Sequence, residues 1–184
     1  MRNQITILGT DLGSNLGWCR CVCTLRPELQ MNVVDHGTVY LNDLTTERMK
    51  KEYNEVFDRR RVRMMIYEEI ITKLVSLAKF DCFVTEDVFC NPNRVAAFRS
   101  LVLYMEVLER IVNTEKHKRL YTIPTTSIKK YIDSYGHADK AQVQRAVLTN
   151  NIINMKRPND ATEHEFDSVA AIWAFLHEFM MTLV

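Results

Sequence analysis

The spacing of apolar residues divides the chain into strands and helices. Apolar runs bounded by turn residues predict strands at 4–10, 17–25, 33–41, 81–89 and 119–124. A helical period predicts helices at 45–79 (one long helix or a helix pair), 93–113, 125–136, 138–152 and 162–182, with a loop at 154–160. Hairpin connections between the first three strands predict antiparallel pairing. The later alternation of strands and helices predicts a mixed α/β sheet covered by helices.

Size and composition are those of an ordinary globular domain. The chain has 184 residues, of which 47% are hydrophobic and 26% charged, so residues 1–184 are expected to form one domain. No apolar run is long enough to span a membrane, and the first residues carry no signal-peptide cleavage site. We therefore expect a cytoplasmic protein. Cys19, Cys21 and Cys23 alternate along one strand, which favours core thiols over zinc ligands.

Charge is distributed unevenly although the formal net charge is only +1. Between residues 116 and 145 there are seven Lys or Arg residues but only two acids, Asp133 and Asp139. Carboxylates elsewhere stand singly in apolar surroundings. A basic rim around acidic groups suits a phosphate polymer that is cut with the help of metal ions, whereas the simpler alternative is a solvated charged face.

Acidic residues also stand at the ends of two apolar strands, where burial would be costly unless they are paired or bind a metal. Asp11 ends the first strand, and a turn-capping role is the alternative because Gly-Ser-Asn follows. Glu86 and Asp87 end the strand at 81–89 and point to opposite faces, so only one of them can face the site. A solvent-facing strand end is the alternative for this pair.

The segment EHEFDSVAAIWAF, residues 163–175, opens the last helix with three acids and a histidine. Thr162 and Glu165 have the spacing of a helix-capping box. That role does not explain His164, because a cation is disfavoured at a helix start, or Asp167 in the second turn. His164 and Asp167 share one helix face. With Asp11 and Glu86 they could converge on one or two divalent ions, and Mg²⁺ prefers such oxygen ligands.

Four segments, in this order, resemble the RuvC-type Holliday-junction resolvases of the ribonuclease H-like superfamily. They are TILGTDLGSNLGWC, FVTEDVFCNPN, YTIPTTSIKKYIDSYGHADKAQVQRAV and EHEFDSVAAIWA. The resemblance implies an α/β fold with a ribonuclease H-like mixed five-stranded sheet flanked by helices. It covers nearly the whole chain and is weakest at residues 42–70. The small size and divergent middle resemble a bacteriophage member more than a bacterial one.

The resemblance also implies roles for individual residues. Asp11, Glu86 and Asp167 match catalytic acids, and His164 stands where relatives have an acid or a histidine. Lys140 matches a catalytic lysine near the scissile phosphate. Two DNA contacts are implied as well, a basic residue at Lys129 and an aromatic that packs on bases at Phe89. The implied cofactor is two Mg²⁺ ions, held by Asp11, Glu86, His164 and Asp167, for which Mn²⁺ can substitute.

The implied activity is the resolution of four-way DNA junctions by paired nicks, with three-way junctions and flaps as further candidate substrates. A homodimer is implied because a four-way junction has two symmetric strands to cut. One broad face of helix 93–113 is the candidate dimer contact, with core packing as the alternative; it carries Ala97, Leu101, Tyr104, Met105 and Leu108.

Two other functions compete with this one. His164 in place of an acid would suit a branched-DNA binding protein that has lost catalysis. The segment GTDLGSNLG also resembles the phosphate loop of actin-like ATPases, but those need two such domains, for which 184 residues leave no room.

Overall fold

A computed structural model describes residues 3–53, 58–89, 95–133 and 138–180. Within these ranges one sheet of six strands has the order β5-β4-β1-β2-β3-β6. Its strands are β1 (Gln4–Asp11), β2 (Asn15–Thr24), β3 (Gln30–Tyr40), β4 (Cys82–Glu86), β5 (Arg119–Ile123) and β6 (Ile153–Met155). The first three strands are antiparallel neighbours, whereas β4 is parallel to β1, β5 to β4 and β6 to β3. The predicted mixed sheet flanked by helices is confirmed.

Six α-helices connect or follow these strands in the described ranges. They are α1 (Leu41–Arg48), α2 (Arg59–Leu77), α3 (Val95–Glu109), α4 (Thr125–Asp133), α5 (Lys140–Thr149) and α6 (Glu163–Phe175). Short π-helical segments extend α1, α3 and α6 to Tyr53, Glu115 and Met180. None of the helices in the described part of the chain is both long and apolar enough to cross a lipid bilayer.

Two sequence-based boundaries need correction. The sheet has six strands and not five, because Ile153–Met155, at the start of the predicted loop, pairs with β3 as a three-residue edge strand. Such a short strand carries no periodicity that a sequence could show. The helical segment predicted at 45–79 is a helix pair, and its first member already begins at Leu41.

Helices cover both faces of the sheet. Side chains of α4, α5 and α6 form a core with one face, and those of α2 and α3 form a core with the other. Ile7 and Leu8 of β1 point to opposite cores, as expected from strand alternation. The cysteines predicted to be core thiols, Cys19, Cys21 and Cys23, are buried in the first of these cores.

The face of α3 predicted as a dimer contact is partly core. Tyr104, Met105 and Leu108 are buried, and the Tyr104 ring lies 4.5 Å from the Tyr67 ring of α2, measured between centroids. Leu101 packs partly against the same core, while Ala97 is exposed. The alternative of core packing therefore holds for most of this face.

Helix α6 lies unusually close to β1 and β2. Its sheet-facing residues include the buried Ala171 and Ala174, whose small side chains permit this approach. The glycine at position 17 is required here, because a Cβ on it would lie 2.2 Å from the backbone oxygen of His164. The start of α6 is thereby held directly against the end of the first hairpin.

Candidate active site

The parallel pairing of β1 and β4 brings two of the predicted acids to one edge of the sheet. Thr10 pairs with Thr85 in the register, so the next residues along the two strands, Asp11 and Glu86, end side by side. The two threonines are fully buried below the acids, and the Thr85 hydroxyl donates to the Thr10 carbonyl at 3.0 Å. The strand predicted at 81–89 ends at Glu86, which faces the site, whereas Asp87 follows the strand and is exposed.

The first turns of α6 bring His164 and Asp167 to the same place. His164 Nδ1 lies 2.9 Å from Asp11 Oδ2, and its Nε2 lies 3.1 Å from the side-chain nitrogen Nδ2 of Asn15. One ligand atom from each of Asp11, His164 and Asp167 lies within 4.8 Å of the others. These three residues are therefore close enough to share one ion. His164 and Asp167, which helix capping could not explain, therefore lie next to Asp11 at the end of β1.

The converging residues line a cavity of about 380 Å³. Of the residues predicted to act in catalysis or DNA binding, all but one are in its lining: Asp11, Glu86, Lys129, Lys140, His164 and Asp167. The exception among these described residues is Phe89, which follows β4 and is 65% exposed. The cavity thus contains the charged residues of the predicted site, whereas the predicted aromatic lies outside its lining.

The acids in the cavity repel one another in the absence of a cation. Burial and the neighbouring Asp11 and Glu86 carboxylates raise the pKa of Asp167 to about 7, against the opposing effect of Lys140 and His164. Burial also raises the pKa of Glu86, although a hydrogen bond from Thr125 opposes the shift. A divalent cation bound between them would oppose these shifts, because it stabilises the charged form of each carboxyl group. The donor set thus fits a metal ion.

Lys140 stands at the mouth of the cavity, at the start of α5. Its Nζ lies 2.9 Å from Glu163 Oε1 and 3.9 Å from Asp167 Oδ2. Asp139 caps α5 through a hydrogen bond from the Gln142 N–H at 2.8 Å, which fixes where Lys140 projects. Glu163 therefore holds this lysine near the acids.

Two polar partners in the cavity were missed at the sequence level. Thr125 donates a short hydrogen bond to Glu86, and Asn15 contacts His164. The signal for Thr125 was its position immediately after β5, since β5 is parallel to β4 and ends at the same edge. Asn15 gave no comparable signal, because its contact depends on the packing of α6 against the first hairpin.

Glu165 has a second partner besides its helix-capping contact. It accepts from the Thr162 backbone N–H at 3.4 Å, as the capping interpretation predicted. It also pairs with Nδ1 of His36, and both side chains are buried. Strand β3 thus places His36 against α6.

Comparison with known proteins gives a consistent picture. No protein-family model matches the chain. In sequence it is 26% identical over 151 residues to the crossover junction endodeoxyribonuclease RuvC of Thermosipho melanesiensis, a match that covers 79% of this chain and 81% of that protein.

Solved structures share the whole architecture. The Thermus thermophilus RuvC structure superposes with a TM-score of 0.72 at 16% identity over 97% of both chains. The same protein in complex with a Holliday-junction substrate gives 0.68 at 12% identity over 96% of both. The yeast mitochondrial Holliday-junction resolvase gives 0.66 at 13% identity over 92% of this chain and 77% of that one. This chain is thus similar in sequence to a RuvC endonuclease and has the fold of solved Holliday-junction resolvases.

Proposed function

We propose that this protein is a metal-dependent endonuclease that resolves four-way DNA junctions. The observation that carries the proposal is the convergence of Asp11, Glu86, His164 and Asp167 in one cavity that lysines also line. Sequence similarity to a protein named as a crossover junction endonuclease supports the same assignment. Residues 1–184 act as one nuclease domain in this proposal, and origin in a bacteriophage stays a prediction from the sequence.

Asp11, Glu86, His164 and Asp167 would hold two Mg²⁺ ions, or Mn²⁺ in their place. Such ions activate the attacking water and stabilise the leaving 3′ oxygen. The carboxylates supply the hard oxygen ligands that Mg²⁺ prefers. His164 either joins them as a ligand or orients the water, and its contact with Asp11 at 2.9 Å is compatible with both roles.

The basic residues at the cavity would bind the DNA backbone. Lys140 is held within 3.9 Å of Asp167, where it can contact the phosphate undergoing cleavage. Lys129 also lines the cavity and would bind a neighbouring phosphate. Phe89 would stack on a base exposed at the branch point. A homodimer would present two such sites to the two symmetric strands of the junction.

The experiment that tests this function is cleavage of a synthetic four-way junction in Mg²⁺ by wild type, Asp11→Asn and Asp167→Asn. We expect each variant to lose about 100-fold or more in rate, because each removes a metal-binding carboxylate. Asp43→Asn, which neutralises an exposed acid on α1, is the matched control and should cut normally. Cleavage at the wild-type rate by either active-site variant would contradict the proposal. Mapping the cuts on three-way and flap substrates in the same assay defines the substrate range.

A binding protein without catalysis is the second candidate. The feature that favours it is His164, which supplies an imidazole where a fourth carboxylate would bind Mg²⁺ more strongly. Junction binding with no cleavage in either Mg²⁺ or Mn²⁺ would establish this alternative.

A further inference from the structure

We propose that Glu165, held by His36 and Thr38 of β3, is a positioning residue that fixes where α6 places His164 and Asp167. The inference rests on the proposed metal-dependent activity, since it concerns the geometry of the same site. Glu165 itself points away from the cavity. Residues 164 and 167 share one helix face, whereas residue 165 projects about 100° further round the helix, toward β3.

The contacts of Glu165 form a closed buried network. Oε2 pairs with His36 Nδ1, and Oε1 accepts from the Thr38 hydroxyl at 2.7 Å and from the Thr162 hydroxyl at 3.2 Å. The side chains of His36 and Glu165 are only 3% and 5% exposed. A carboxylate buried to this extent is retained only when its partners are in place, so this network has one favoured geometry.

The hydrogen-bonding partners of His36 define this geometry further. Its Nε2 lies 2.6 Å from the backbone oxygen of Lys156, which can only accept, so Nε2 carries a hydrogen. Nδ1 faces Oε2 of the Glu165 carboxylate. His36, which lies in β3, therefore connects this strand with the first turn of α6 and with the residue that follows β6.

The position of this network explains why it matters for the site. The start of α6 contacts β2 on one side, where Gly17 leaves no room for a side chain, and β3 on the other through Glu165. His164 and Asp167 lie between these two supports on the cavity side. Loss of the Glu165 contacts would free the first turn, while the remainder of α6 stays buried in the core.

The test compares Glu165→Ala with Glu165→Gln. The glutamine can keep the network, because its amide N–H donates to His36 Nδ1 while its carbonyl oxygen accepts from Thr38 and Thr162. The alanine loses all of these contacts. Leu108→Ala is the matched control, since it disturbs the core on the opposite face of the sheet. All proteins are compared well below their unfolding temperatures.

Two measurements are made. The first is the NMR spectrum of the His164 imidazole nitrogens in the metal-free protein, and the second is the affinity of the protein for Mn²⁺. We expect Glu165→Ala to shift the His164 signals and to weaken Mn²⁺ binding about 10–100-fold, the usual effect of losing a group that supports metal ligands. Glu165→Gln should keep the wild-type spectrum and bind Mn²⁺ within about twofold of wild type. Leu108→Ala should leave both readouts unchanged.

The inference is overturned if Glu165→Ala leaves the His164 spectrum unchanged, or if Leu108→Ala has an equal effect. An effect of Glu165→Gln as large as that of Glu165→Ala would also overturn it. The loss of the hydrogen-bonded network could then not be the cause of the altered spectrum and weaker Mn²⁺ binding. Failure of the proposed function is separate, since it would appear as wild-type protein that does not cut the junction. The spectrum of the metal-free protein decides the positioning role in that case as well.

Discussion

His164 and Asp11 form a hydrogen bond of 2.9 Å although 153 residues separate them in the chain. Because β1 supplies one partner and α6 the other, this contact depends on the packing of the last helix against the first hairpin. It also places an imidazole nitrogen among carboxylate oxygens, within 4.8 Å of a ligand atom of Asp167. This position is compatible with orientation of the attacking water by His164 and with a direct metal-binding role.

Substitution of His164 distinguishes that role from water orientation. We expect His164→Asp to keep most of the junction-cleaving activity in Mg²⁺, because a carboxylate can replace the imidazole as a ligand. His164→Ala should fall about 100-fold. Single-turnover cleavage rates measure both. If the aspartate variant is as inactive as the alanine variant, His164 orients the water and does not bind the metal.

Asp167 makes the stability of the metal-free protein depend on pH. Its pKa is about 7 in the folded protein, against 3.8 in the unfolded chain, so between these values the folded state binds the additional proton. The stability that this group contributes is therefore fully present at about pH 4 and below and is lost as the pH rises through 7, by at most about 4 kcal/mol. Denaturant unfolding in EDTA at pH 5 and pH 8 measures the difference.

Asp167→Asn is the comparison for this pH effect. We expect the variant to lose less stability than wild type between pH 5 and pH 8, because the asparagine does not ionise. Adding Mn²⁺ at pH 8 should stabilise wild type and have a smaller effect on the variant. Parallel pH profiles for the two proteins would show that Asp167 does not titrate in this range.

Gly17→Ala should destabilise the protein strongly. The added Cβ would lie 2.2 Å from a backbone oxygen of α6, which cannot move without displacing the helix. We expect a loss of at least about 3 kcal/mol. For a chain of this length that lowers the melting temperature by about 6–12 °C. Gly13→Ala is the control, since its Cβ would meet its nearest atom at 3.6 Å. Equal melting temperatures for the two variants would contradict the close packing of α6.

Phe89→Ala tests the stacking role at the branch point. With a side chain 65% exposed, Phe89 contributes little to the core, so the variant should fold normally. We expect junction affinity to fall by the equivalent of about 1–3 kcal/mol, while binding to linear duplex stays the same. The fluorescence of 2-aminopurine at the crossover reports the unstacked base. Leu77→Ala, which removes another exposed apolar side chain, is the control.

The parts of the site that depend on sheet topology could be predicted from the sequence. Asp11 and Glu86 each end an apolar strand, and parallel strands that are neighbours end at the same edge. His164 and Asp167 were distinguishable because helix capping explained the residues beside them but not these two. Each of these inferences needs only local periodicity and the cost of burying a charge.

The parts that depend on tertiary packing could not be predicted. The pairing of His36 with Glu165 joins residues 129 apart, and neither has a sequence neighbour that indicates the other. The three residues of β6 are too few to show a pattern. The inner face of α3 is apolar in a way that fits a dimer contact and a core equally well, and packing against α2 decided between them.

The contact between the first hairpin and the last helix also affects synthesis on the ribosome. A nascent chain that has emerged only as far as α5 contains Asp11 and Glu86 but has neither His164 nor Asp167. The cluster of Asp11, His164 and Asp167 is therefore completed only after α6 has left the ribosome and packed against β2. A translation intermediate that ends before α6 thus holds only one of these three side chains, so the cluster cannot form until the last helix is in place.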